Sequence, residues 1–158
     1  MWYHPCMALL NYTTKISPEQ TIAELQTMLS KHGVNAMMTE YDGPHVSAVS
    51  FRMKIGEEQR AFKLPCNWKA VQEILKPKNE RTMWDKARAA KLAEERKMQA
   101  IRTAWRIIHT WVKAQLALVE VNMVTIPQIF LPYAVTSDGR TLAERMDQDP
   151  GFLLGDGK

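Results

Sequence analysis

A chain of 158 residues, 46% apolar and 24% charged, is long enough to bury a core of its own and lies far from the composition of a disordered chain. No apolar run approaches the ~20 residues of a membrane span. The N-terminus lacks a signal peptide's basic and apolar regions, and two cysteines, Cys6 and Cys66, are too few for a disulfide scaffold, so reduced thiols in a cytoplasmic protein are expected. The net charge of +4 is unevenly spread: residues 1–75 carry seven basic and seven acidic residues, residues 76–113 eleven and four, and residues 114–158 three and six. A basic centre between neutral and acidic flanks is the pattern of a polyanion-binding surface.

Residues 1–10 are expected to be disordered, as termini without anchors are. Residues 11–16 are rich in β-formers and read as a first strand. Ser17 then caps a helix with Pro18 in its first turn and Gln20 completing a capping box. Ile22, Leu25 and Leu29 give that helix one apolar stripe, and Gly33 closes it. Residues 35–41 and 46–55 read as strands around the turn Asp42-Gly43-Pro44-His45. In the second of these, Val49, Phe51, Met53 and Ile55 alternate with Ala48, Ser50, Arg52 and Lys54, so one face is buried and the other wet. After the turn at Gly56, residues 59–64 return with Phe62 and Leu64 inward, and Asn67 caps a short helix over 68–75. Cys66, at this strand-to-helix junction, is expected to be buried as a small hydrophobe.

Residues 76–79 break the chain with a proline. From Thr82 to Met123 there is neither proline nor glycine, and Ala, Lys, Glu, Arg and Leu dominate, which predicts one long helix with a break near Met98 as an option. Ile101, Trp105, Ile108, Val112 and Val119 fall at spacings of 4, 3, 4 and 7, a seam suited to packing on a sheet or on a second copy. Pro127 and Pro132 mark Ile126 to Val135 as irregular, and Thr141 caps a helix to Met146. The expected fold class is α+β: a small antiparallel sheet in the order β-α-β-β-β-α, a long basic helix, and an irregular C-terminal segment. One domain over residues 11–146 is expected, with a sheet-containing part at 11–75, the helix at 80–124, a proline-marked wrap and short helix at 125–146, and a loose tail at 147–158.

The strongest candidate for function is a row on the long helix. Gln99, Arg102, Arg106, His109 and Lys113 share one face by their spacing of 3, 4, 3 and 4, and Arg88 falls on the same face about three turns earlier. No acid lies between Gln99 and Lys113. Such a row matches the repeated charge of a phosphate backbone, and Trp84 would add base stacking on a single strand. Arg52, Lys54 and Lys63 form a second basic group on the wet sheet face; as solvating residues that discourage edge pairing they need no ligand. Ile126, Ile129, Phe130, Leu131 and Tyr133 either wrap the core or offer an apolar surface to a protein partner.

Templates for catalysis are absent. The four histidines show no metal-ligand spacing, and there is no Cys-x-x-Cys, phosphate-binding loop, dinucleotide glycine fingerprint or nucleophile elbow. Neither metal nor cofactor is expected, and no enzyme.

The segments at residues 11–16, 64–67, 104–108, 111–118 and 130–133 together resemble a family of short proteins encoded by bacteriophages and prophages, over residues 11–146. The family has no assigned activity, so the resemblance implies context rather than chemistry. It implies an accessory protein of a phage or mobile element, acting in the bacterial cytoplasm in replication, recombination, transcription or inhibition of host defence. The expected function is therefore nucleic-acid binding, DNA or RNA, through the basic helix face, without catalysis. The alternatives are a protein-binding inhibitor of a host factor and a binder of a phosphate-bearing small molecule. A homodimer through the long helix is expected from the length of its seam.

Overall fold

The computed structural model describes residues 8–76, 85–149 and 151. In chain order its elements are α1 (Pro18–Ser30), β1 (Val34–Asp42), β2 (His45–Ile55), β3 (Glu58–Pro65), α2 (Trp68–Leu75), α3 (Lys86–Glu120), α4 (Ile126–Phe130) with a 3-10 turn at Leu131–Tyr133, and α5 (Leu142–Gln148). The fold is α+β. The described residues form two compact units, one of the chain up to Leu25 with Cys66–Trp111, the other of Gln26–Pro65 with the chain from Val112 onward.

The first unit is built on side-chain caps and on α3. Ser17 Oγ accepts from the Gln20 amide at 3.1 Å, so α1 starts where the sequence places it. The Gln20 side chain does not return to Ser17; it reaches Glu24 at 3.2 Å. Asn67 Oδ1 caps α2 through the Ala70 amide at 3.2 Å, and Asp85 Oδ1 caps α3 through Ala87 and Arg88 at 3.0 and 3.2 Å. Ile22, Leu25, Cys66, Trp68, Ala100, Ile101, Ala104 and Trp105 are its buried apolar residues. Ala100, Ile101, Thr103, Ala104 and Trp105 are buried in near succession, so α3 is enclosed on most of its circumference over this stretch, as a central helix must be. It runs without a break at Met98.

Residues 11–16, expected as a strand, pair with no strand. Asn11 takes a left-handed backbone (φ 61°), and the Thr14 amide turns back onto its carbonyl at 3.0 Å. The polar groups that a ladder would have paired are met by side chains of α3 instead. Gln99 Nε2 donates to the carbonyls of Tyr12 (2.8 Å) and Thr14 (2.9 Å), and Thr103 Oγ1 lies 3.5 Å from that of Asn11. Asn11 Nδ2 in turn donates to the Arg106 carbonyl and to Thr110 Oγ1 at 3.3 and 3.0 Å.

The second unit holds a three-stranded antiparallel sheet in the order β1-β2-β3. Its hairpins turn on Gly43 and Gly56, each with φ 61°, the left-handed geometry that a two-residue loop demands and a side chain resists. Val49, Phe51 and Met53 are buried and Arg52 and Lys54 exposed, as the alternation requires, but Ala48, expected on the wet face, is buried, and Ile55, expected inward, is half-buried. Phe51 opposes Phe62, with ring centroids 5.3 Å apart, and Phe130 joins both at 5.2 and 6.0 Å.

Phe130 comes from the segment expected to be irregular. Ile126–Phe130 is instead a helix that continues into the 3-10 turn, because Pro127 sits in its first turn, where a missing N–H costs nothing. Thr125 N–H donates to Gln128 Oε1 at 2.7 Å in the manner of a capping box. The segment wraps the sheet: Val135 N–H donates to the Ala61 carbonyl at 2.9 Å beside a bridge between Phe62 and Ala134. At the end of α3, Asn122 adopts φ 59° while Met123 and Asn122 donate to the carbonyls of Leu118 (2.9 Å) and Val119 (3.0 Å). This is a Schellman cap with asparagine in the glycine position, and it ends the helix short of the expected Met123. Thr141 caps α5 as expected and, with Glu144, forms a capping box at 3.2 and 2.7 Å, and the helix reaches Gln148 rather than Met146. The expectations for residues 1–7, for Trp84 and for the tail from Phe152 fall outside the described residues.

Candidate nucleic-acid interface

The row on α3 divides into cations turned to solvent and groups consumed by the protein itself. Arg88 and Lys91 are exposed in the first half of the helix, as is Lys86, and among the described residues none of the three has an ion pair. Arg102 is half-buried. Its Nη2 and Nε donate to Gln99 Oε1 at 2.7 and 3.2 Å, and no carboxylate meets it. Lys97 lies over the Trp68 ring at 5.6 Å, with Lys69 at the same distance, so the buried Trp68 ring meets two ammonium groups. Lys113 is exposed in the second unit and also lacks an ion pair.

Gln99, Arg106 and His109 depart from the solvent-facing row that their spacing suggests. Gln99 spends its amide on the Tyr12 and Thr14 carbonyls. Arg106, its side chain 18% exposed, donates from Nη1 to Glu24 Oε2 at 2.6 Å. His109, its side chain 9% exposed, places Nε2 3.0 Å from the same carboxylate oxygen. The row has no acid of its own in this stretch; α1 supplies one. What reads as a free basic stripe is in this part the seat of residues 11–24.

Glu24 carries the electrostatic signature of that role. The hydrogen bond from Arg106 holds its carboxyl below the ordinary value of 4.5, against an opposing desolvation and with further help from Gln20. A carboxylate whose pKa is lowered by folding adds stability above its unfolded pKa, and that stability is lost as pH falls through the folded value. Melting temperature should therefore fall more steeply below about pH 4.5 in the wild type than in Glu24→Gln. Asp138, also held low by its Arg140 hydrogen bonds, titrates in both proteins and cancels. Parallel pH profiles would show that the Glu24 contacts contribute nothing.

The second basic group is largely compensated. Lys63 Nζ reaches Glu40 Oε2 at 2.7 Å and Lys54 pairs with Glu57 at 3.2 Å. Arg52 alone is exposed without an ion pair; beside it, Ala36, Met38, Ser50 and Ala61 line an open depression of about 330 Å³. Of the apolar candidates, Ile129 and Phe130 are buried, Ile126 and Tyr133 half-buried, and Leu131 is 54% exposed. Cys66 is buried, and burial pushes its thiol up to about 12, which leaves no thiolate at neutral pH. Among the described residues no three metal-ligating side chains converge, and no helix is long and apolar enough to cross a membrane. Comparison with protein-family models, curated proteins and solved structures finds no match.

The sequence reasoning missed Tyr12. It is 45% exposed, and its carbonyl is fixed by the Gln99 amide, whose oxygen in turn holds Arg102. A tyrosine in a β-forming run carries no such signal; its exposure on a turn clamped by α3 singles it out.

Proposed function

We propose that the protein is a non-catalytic nucleic-acid-binding accessory protein of a phage or mobile element, working in a bacterial cytoplasm, with Arg88, Lys91 and Arg102 as its phosphate contacts. The observation that carries this reading is that these cations lack an acidic partner while their neighbour Arg106 has one. Glu94 and Glu95 are exposed on the same helix, and among the described residues neither makes an ion pair. Phosphates would take up the uncompensated charge and release counterions.

The test is fluorescence anisotropy of labelled DNA and RNA, single- and double-stranded, at two salt concentrations. Arg88→Glu with Lys91→Glu, both at exposed positions without hydrogen-bonded side chains, should weaken binding by about tenfold or more and flatten the salt dependence by roughly two counterions. Unchanged affinity in this double variant would overturn the assignment.

A second reading, an inhibitor that docks on a host defence or transcription factor, is favoured by the exposure of Val121, Met123 and Leu131 in the second unit. A stoichiometric protein captured from nuclease-treated bacterial lysate, and lost with Met123→Glu and Leu131→Glu, would support it. A bare eluate would count against it.

A further inference from the structure

The placement of Tyr12 points to the form of nucleic acid that would be bound, an inference that rests on the nucleic-acid reading above. Residues 11–14 have no regular secondary structure, yet they are held at five points by α3, three of them on their backbone. The carbonyls of Asn11, Tyr12 and Thr14 meet Thr103 and Gln99, and the Asn11 side chain donates to Thr110 and to the Arg106 carbonyl. The left-handed Asn11 sets the turn. None of these bonds uses the Tyr12 side chain, which remains 45% exposed. A large aromatic ring is thus mounted on a fixed turn, with its free surface toward solvent and an arginine two hydrogen bonds away through Gln99. Lys15, exposed and without an ion pair, follows three residues later.

An exposed ring on a backbone-fixed turn, tied to Arg102 through the Gln99 side chain, gains little from a duplex, whose base faces are already stacked, and much from an unpaired base, where each stacking contact is worth about 1–3 kcal/mol. The charge pattern agrees. Glu95 lies one turn before Gln99 on the same face of α3, between Lys91 and Arg102, so the cations do not form the unbroken track that a duplex backbone would follow. Short clusters of cations suit a flexible strand, which bends around the acid. We propose that Tyr12 and Arg102 form a stacking site for an unpaired base, and that single-stranded nucleic acid is the preferred ligand.

The experiment titrates full-length protein into labelled oligo(dT) and oligo(rU) of about 20 nucleotides and into a duplex of the same length. Wild type should bind at least one single strand about tenfold more tightly than the duplex. Tyr12→Leu should lose about tenfold on single strands and leave duplex affinity unchanged, while Tyr12→Phe, which keeps the stacking face, stays within about twofold of wild type. An oligonucleotide carrying 2-aminopurine reports stacking directly, by quenching that Tyr12→Leu relieves. Because the Tyr12 contacts to α3 run through the main chain, the variants should melt with the wild type. Single-strand binding equal in wild type and Tyr12→Leu overturns this site and leaves the basic surface standing. Preference for duplex overturns the single-strand assignment alone, and no binding of any form removes both this inference and the reading beneath it.

Discussion

Arg106→Glu should destabilise the protein by on the order of 2 kcal/mol, and any loss of nucleic-acid binding in that variant should follow from unfolding rather than from a missing contact. The guanidinium donates at 2.6 Å to a carboxylate oxygen that also lies 3.0 Å from His109 Nε2, and both side chains are largely withdrawn from water. A second carboxylate at this place would leave His109 between two acids and Glu24 without its donor. Glu24 is about one-third exposed, so water screens part of the penalty, which keeps the expected cost below the 3–5 kcal/mol of a fully buried broken pair. Arg88→Glu, at an exposed position, should change stability by less than about 0.5 kcal/mol. Urea denaturation followed by circular dichroism separates the two. If Arg106→Glu denatures at the wild-type midpoint, the Glu24 cluster is not a fastening of the fold, and Arg106 returns to the list of phosphate contacts.

The second large effect concerns Phe130. Truncation to alanine should cost about 3–5 kcal/mol, the range for a fully buried aromatic ring. Phe130 has no solvent exposure and meets Phe51 edge-on at 5.2 Å and Phe62 at 6.0 Å, while those two rings stack at 5.3 Å. Removing it takes one side from a three-ring cluster and leaves a void that the paired strands β2 and β3 are too constrained to fill. Leu131, the adjacent residue and 54% exposed, is the internal control: Leu131→Ala should cost under about 1 kcal/mol. Equal costs at the two positions would mean that α4 does not anchor the C-terminal segment on the sheet.

These two residues also mark how far the sequence could be read. Ser17, Asn67 and Thr141 announce helix starts because a cap is settled within three residues, and the period of two in residues 49–55 declares the buried sheet face by itself. Residues 11–16 were legible only as β-formers. Whether such a run enters a sheet depends on where its carbonyls find donors, and here they find them on Gln99 and Thr103, some 85–92 residues away. Ile126–Phe130 was obscured by Pro127, which ends a helix from its interior yet is at home in its first turn. The charge row was visible as spacing, but its neutralisation was not, because Glu24 lies 82 residues from Arg106. Periodicity reports what a helix offers; it cannot report what another part of the chain has already claimed.

The clamp between residues 11–14 and α3 also bears on how the molecule is made. Asn11 leaves the ribosome long before Thr110, which lies 99 residues downstream. At the usual synthesis rate of about 5–20 residues per second, that interval is roughly 5–20 seconds. For most of it, until Gln99 is made, the carbonyls of Tyr12 and Thr14 have only water to bond, and a β-forming segment waits without its long-range partners. A segment made early is thus ordered late, and a chain halted before Gln99 would present that segment to chaperones and proteases rather than to its own helix.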